Sequence, residues 1–240
     1  MATGRRQLLG GLPLLALVAA TTTPACADPG DLVVSCDTTL APALRKLGAA
    51  YRTRFDVRVH VFPTGPGLVL PQLLRDIQND IVVTQVAILE QAAQAGVIAS
   101  APRGAWRNRL VIAGPHGASA IDATVAANDP SPAADFDGPG LLTRLGLQPA
   151  RVLGAVDTDE VAFLLTSGAA QAGLLHLTDV RADPRLEVIR PVPAEIHPPI
   201  IYAASVTRLA RRPNPQDLIA FLATPEATAL LTEGGLETNA

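Results

Sequence analysis

The sequence predicts an α/β protein of two parts, each a mainly parallel sheet flanked by helices. Two observations predict it. Short aliphatic runs alternate with Ala/Leu-rich helical stretches along the chain after residue 30, and buried aliphatic strands in that order belong to parallel sheets. The alternation is also punctuated twice, at Pro115-His116-Gly117 and at Pro191, Pro193, Pro198 and Pro199, which delimits a second α/β set inside the first.

Residues 32–35 read as a buried strand. Residues 40–52 read as a helix, because Leu40, Leu44, Leu47 and Tyr51 recur on one face. Val57, Val59 and Val61 alternate in the next strand (57–62), and Pro63-Thr64-Gly65-Pro66-Gly67 turns the chain into a helix over 68–77. Residues 81–83 form a strand, 87–95 a helix and 110–114 another strand, with Trp106 covering the core edge near the crossing. The second set has strands near 124–127, 151–155, 173–177 and 186–189, and helices near 140–145 and 159–167. Residues 200–206 return as a strand, and residues 215–231 supply closing helices, with Pro225 in the first turn of the last one and Thr224 as its cap.

The N-terminus has the order of a cleaved export signal: Arg5 and Arg6, an apolar run over 8–20, then Ala25-Cys26-Ala27, with Asp28 as the mature start. Residues 4–9 (GRRQLL) also have the look of a twin-arginine signal, and Cys26 has an alternative meaning as a lipidated cysteine. Removing residues 1–27 takes away two arginines and no acids, so the net charge falls from −3 to −5. Nothing basic and clustered suggests nucleic acid, and no later apolar stretch reaches the ~18 residues of a membrane span. Cys36 is then the one cysteine left, which rules out an intrachain disulfide framework.

Four segments carry the strongest functional signal: residues 32–40 (LVVSCDTTL), 79–84 (NDIVVT), 173–180 (GLLHLTDV) and 221–231 (FLATPEATALL), supported by 108–115 (NRLVIAGP) and Asn128-Asp129-Pro130. Their order and spacing resemble the periplasmic substrate-binding proteins of molybdate-type ABC transporters, over essentially the whole mature chain. The resemblance implies a two-lobed fold with residues 28–114 and 194–240 in one lobe, 115–193 in the other, and a ligand cleft between them. It also implies a monomer that takes up a small oxyanion, molybdate or tungstate, in the periplasm and delivers it to an ABC permease and ATPase complex, with no cofactor and no catalytic residue.

In that family the anion is held by backbone N–H groups, Ser/Thr hydroxyls and a Tyr hydroxyl; helix N-termini and tight turns supply such neutral donors. By position, the resemblance puts Thr38 and Thr39 at the first-lobe hydroxyl site and Thr64 near the second, where Pro66 removes one possible N–H donor. Thr158 falls where a backbone N–H serves the ligand, Ser131 (or a neighbour up to Ala134) lines the cleft, and His176 replaces the Tyr donor. For Thr38 and Thr158 the competing reading is helix capping, and for Thr64 a plain tight turn. For His176 it is a buried imidazole bonded to a carbonyl.

Cys36 and Asp37 stand where the family has small neutral residues. With His176 they would make a soft metal site if they converged, although their spacing has no metal-motif character; Cys36 is otherwise a small core residue and Asp37 part of a turn. A cysteine hydrolase with Cys36 as nucleophile and His176 as base is a further alternative. So are the same fold turned to another small ligand or metal complex, and an exported sensor or accessory protein. His60, His116 and His197 read as surface or turn residues, and Asp157, Asp159 and Glu160 as the acidic bias of a helix N-terminus.

Overall fold

The computed structural model describes residues 30–75, 77, 79–130 and 136–238; the export segment lies outside them. In chain order the first elements are β1 (Leu32–Asp37), α1 (Ala41–Phe55), β2 (Val59–Thr64), α2 (Pro66–Leu74), β3 (Ile81–Gln85), α3 (Val86–Gln94) and β4 (Arg103–Asn108). Next come β5 (Leu110–Pro115), β6 (Thr124–Asn128), α4 (Gly138–Arg144), β7 (Arg151–Ala155), α5 (Thr158–Thr166), β8 (Ala172–His176), α6 (Leu177–Ala182) and β9 (Leu186–Pro191). The chain closes with β10 (Ile200–Val206), α7 (Pro215–Leu222), α8 (Pro225–Glu233) and β11 (Glu237–Thr238).

Two sheets result. The first runs β11-β4-β10-β3-β1-β2 and the second β7-β6-β8-β5-β9. β1 lies parallel to β2 and β3, and β6 parallel to β7 and β8, as strand–helix–strand units require. The remaining pairings, β10 with β3 and β4 and β5 with β8 and β9, are antiparallel, so each sheet is mixed.

β5 belongs to the second sheet, where Val111 pairs with both Leu175 and Pro191. The first crossing is therefore at Arg109, between β4 and β5, and not after residue 114 as the turn at Pro115 suggested. The second crossing lies between Pro191 and Ile200. β4, which is absent from the sequence expectation, pairs Trp106 with Tyr202 and Thr238. β2 starts two residues later than expected because Asp56 ends α1 in the left-handed conformation (φ 54°) and Leu32 pairs with Val59. As an edge strand, β2 tolerates Pro63.

Helices cover both faces of each sheet. Leu32, Val34 and Cys36 of β1 pack beneath α1, α7 and α8 through Leu44, Leu47 and Phe221. α2 and α3 cover the reverse face through Val69, Leu73 and Leu89 against Val82 and Ala203. In the second sheet Leu110, Ile112 and Leu174 meet Leu141 and Leu142 of α4, while Val111, Ala126 and Leu175 meet Val161 and Leu165 of α5. Thr224 does cap α8, its hydroxyl accepting from the Ala227 N–H at 3.2 Å. Among the described residues no helix is long and apolar enough to cross a membrane.

Candidate ligand site between the lobes

The site follows from strand direction. Ligands of open α/β sheets lie outside the carboxyl ends of the parallel strands. Here those ends are Asp37, Thr64 and Gln85 in the first sheet, and Asn128, Ala155 and His176 in the second. Thr38 and Thr39 form a short 3-10 turn after β1; Thr64 ends β2, Thr158 opens α5, and His176 ends β8. Ser131 lies outside the described residues.

The structure brings Thr39 and the β8–α6 junction together. Asp179 accepts the Thr39 hydroxyl at 2.6 Å, and the Thr39 and Thr178 oxygens are 2.5 Å apart. Asn108 Nδ2 donates to Thr178 Oγ1 at 2.8 Å. An ionised carboxylate only accepts, so donor inventory orients the whole chain: the Asn108 amide donates to Thr178, Thr178 to Thr39, and Thr39 to Asp179. The second Asp179 oxygen takes the His176 backbone N–H at 3.0 Å and lies 3.2 Å from His176 Nδ1. Burial alone would raise the Asp179 carboxyl; the His176 hydrogen bond and charge, with the Thr39 hydroxyl, outweigh it and hold the group below its ordinary value. Other close contacts surround the same junction. The Leu177 N–H donates to the Arg109 carbonyl at 3.0 Å. Gly235 (φ +97°) sits so near the Leu177 backbone that an added Cβ would come within 3.1 Å of it.

The other expected site residues divide. Thr38 does not cap α1, whose N-cap is Leu40 with no side-chain bond. Nor is Thr158 the cap of α5, because Asp157 accepts the Glu160 N–H at 2.9 Å. Thr158 instead holds the first helical position, where its backbone N–H lies among the orphan donors of the helix. The Thr64 hydroxyl donates to Gln72 Oε1 of α2 at 3.2 Å and lines a separate cavity, so it is not part of the Thr39 cluster. His176 is fully buried, its ring edge-on to Phe136 at 5.8 Å, and Phe136 also faces His197 at 6.3 Å. His60 sits in β2, half-buried against Asp31, and His116 is an exposed turn residue bonded to Glu187 and the Pro184 carbonyl.

Cys36 and Asp37 lie on opposite faces of β1. The Cys36 thiol points into the core beneath α1, where burial first and the Asp37 charge second push it far above the usual thiol range against the opposing pull of Arg45. A thiol so placed stays protonated and covered. Asp37 is fully buried and accepts the Thr84 hydroxyl at 2.6 Å. No group of three metal-ligating side chains forms among the described residues.

The lobe 2 wall is acidic. Asp159 is raised above its ordinary value by burial, then by the charges of Asp157 and Asp179, against the opposing pull of Arg45 from α1. An anion entering there meets the same repulsion. Asp159→Asn is therefore expected to relieve that repulsion, by an amount that shrinks in high salt; for any anion found to bind between the lobes, calorimetric titration at two ionic strengths checks it.

Sequence reasoning singled out Thr39 and His176, which the structure brings to Asp179, but not Thr178, Asp179 or Asn108. A signal existed in the spacing of His176 and Asp179, since an acid three residues after a helix cap is half of a capping box.

The fold has many solved relatives. The periplasmic molybdate-binding protein of Azotobacter vinelandii superposes with a TM-score of 0.73 at 18% identity, covering 88% of this chain and all (100%) of that one. The sulfate-binding protein SubI of Mycobacterium tuberculosis H37Rv gives 0.65 at 12% identity, covering 87% of this chain and 86% of that one. The iron-bound HitA of Pseudomonas aeruginosa gives 0.57 at 13% identity, covering 84% of each chain. No curated protein matches in sequence. The profile of the bacterial extracellular solute-binding proteins matches residues 32–237, which spans every element of both lobes except the last residue of β11. The chain belongs to the bacterial extracellular solute-binding protein family.

Proposed function

We propose that the protein captures a small oxyanion, molybdate or tungstate, between its two lobes and delivers it to an ABC permease and ATPase complex. Residues 30–108 and 200–238 act as one lobe and residues 110–191 as the other, turning about the two crossings as a monomer without covalent chemistry. Residues 1–27 direct export to the periplasm. The observation that carries this reading is the meeting of the two lobes at their strand ends. There the turn at Thr38-Thr39 and the first helical position of α5 at Thr158 stand at helix starts, where backbone N–H groups serve as neutral donors. The Thr39 hydroxyl would bind the anion in competition with Asp179. Cys36 lies in the core with its thiol held protonated by burial, which removes the support for a cysteine nucleophile.

A second reading, a different ligand in the same cleft, is favoured by Asp37 and Asp179. Two buried carboxylates, one at the end of β1 and one in the first turn of α6, suit a cation or a metal complex better than a bare oxyanion.

One panel separates the two: thermal unfolding of the mature chain with molybdate, tungstate, sulfate, phosphate and divalent metal ions. A ligand at 1,000 times its Kd adds about 4 kcal/mol, which for a chain of this size raises Tm by roughly 8–16 °C. A shift of that size with molybdate and tungstate alone is the expected result. A shift with metal ions only would replace the oxyanion reading with the second one, and a shift with sulfate or phosphate would reassign the anion.

A further inference from the structure

Lobe 1 carries a second cavity on the face of its sheet opposite α1, about 450 Å³ in volume and lined entirely by lobe 1 residues. Its floor is made by Val33 and Ser35 of β1 with His60 and Phe62 of β2, and its walls by Gln72 of α2 and Arg212 ahead of α7. Strands covered on both faces are normally aliphatic throughout. Here the positions on this face include a serine and a histidine, and both line the cavity beside α2.

Three polar groups of the cavity, on Ser35, Gln72 and Arg212, have a donor to offer, whereas Thr64 and Asn79 spend theirs on Gln72 and on the Ile77 carbonyl. Ser35 is 3% exposed, and its hydroxyl makes no hydrogen bond among the described residues. The Nε of Arg212 is buried with no hydrogen-bond partner among the described residues, and its Nη1 reaches Asp80 only at 3.6 Å. Gln72 uses its oxygen on the Thr64 hydroxyl, so what it offers is its NH2 group. Asp31 and Asp80 hold His60 and Arg212 from behind. Apolar surface from Val33, Phe62 and Ile77 faces these donors, and Phe62 is 53% exposed at the rim.

Donors gathered at an arginine match a carboxylate, and the apolar wall matches a hydrocarbon body. A dry cavity of about 150 Å³ holds a benzene ring, so this one admits a molecule of roughly ten non-hydrogen atoms. We propose that the cavity binds a small organic carboxylate with an apolar body, its head on Arg212 and Ser35 and its body against Phe62. This site is separate from the cleft between the lobes.

Phenylacetate is a suitable probe, titrated into isotope-labelled mature protein with and without saturating molybdate and followed by amide NMR. Saturable shifts at Val33, Ser35, His60 and Phe62 are expected, with a Kd of about 1 mM or tighter and no change on adding molybdate. Arg212→Gln should weaken binding about tenfold or more, and Ser35→Ala several-fold, while molybdate binding stays as in the parent. Phenethylamine, the same body with a cationic head, should not bind. If Arg212→Gln fails to fold, Ser35→Ala and Phe62→Ser still read the site. No saturable shift would overturn the proposal. So would shifts centred on Thr39 and His176, loss of binding with molybdate, or equal binding of the amine.

Discussion

Replacing Asp80 with alanine is expected to lower the unfolding free energy by about 3–5 kcal/mol without altering any residue of the interlobe site. The carboxylate is fully buried at the start of β3 and ties together three segments distant in sequence. One oxygen accepts the Val33 N–H at 2.8 Å, and the other accepts the Arg211 and Arg212 N–H groups at 3.2 and 3.4 Å. The Arg212 guanidinium stands 3.6 Å away. Alanine would leave these backbone donors and a largely buried cation without an acceptor, and an unsatisfied buried donor loses its full desolvation penalty. The Thr207 hydroxyl, bonded to the adjacent Asn79 carbonyl, would lose its register as well. For a chain of this length such a loss lowers Tm by roughly 6–20 °C. Asp80→Asn keeps one acceptor but turns an NH2 group toward a donor, so its loss should be smaller. A change under about 1 kcal/mol for alanine, the ordinary effect of a point substitution, would show that water replaces the carboxylate at no penalty.

Asp179→Ala is expected to cost a similar amount, about 3–5 kcal/mol, but with a different signature. Asp179 receives bonds from its own lobe through His176 and from the other lobe through Thr39. Its removal should therefore both destabilise the fold and loosen the lobes, raising amide exchange at residues 38–40 and 177–179. The pH dependence has a definite sign. The native carboxyl titrates below its ordinary value of 3.8. Its contribution is fully present above about pH 4 and is lost as pH falls through the native value. Acid denaturation should thus begin at higher pH in Asp179→Asn, which already lacks this contribution, and the stability gap between parent and variant should close in acid. A gap independent of pH would mean the Asp179 charge contributes nothing.

Much of the fold was legible because its strands are aliphatic and its helices periodic. β7 and β10 fall on the residues where the run of apolar side chains placed them. β4 was not legible, since in Arg103–Asn108 the one large apolar side chain is Trp106 and the alternate positions are exposed. The sheet to which β5 belongs could not be read locally either. Leu110–Pro115 is aliphatic on both faces and suits either lobe; what assigns it is pairing with strands some 60 to 80 residues downstream. α6 has six residues, too few for periodicity to register. The hydroxyls after β1 were legible as a feature of the turn, but the aspartate to which Thr39 is bonded lies 140 residues away. No local pattern distinguishes a threonine that waits for an anion from one already bonded to an aspartate.

The hydrogen-bonded chain from Asn108 to Asp179 begins one residue from the crossing at Arg109, and the carbonyl of Arg109 itself holds the first N–H of α6. Bonds this close to an axle barely lengthen when the far rims swing apart, whereas the same bonds at the rim would have to break. They oppose sliding and twisting far more than rotation. In the hinged turning proposed above, the chain would act less as a clasp than as a bearing, leaving the jaws one easy direction of travel and fixing the line about which they turn.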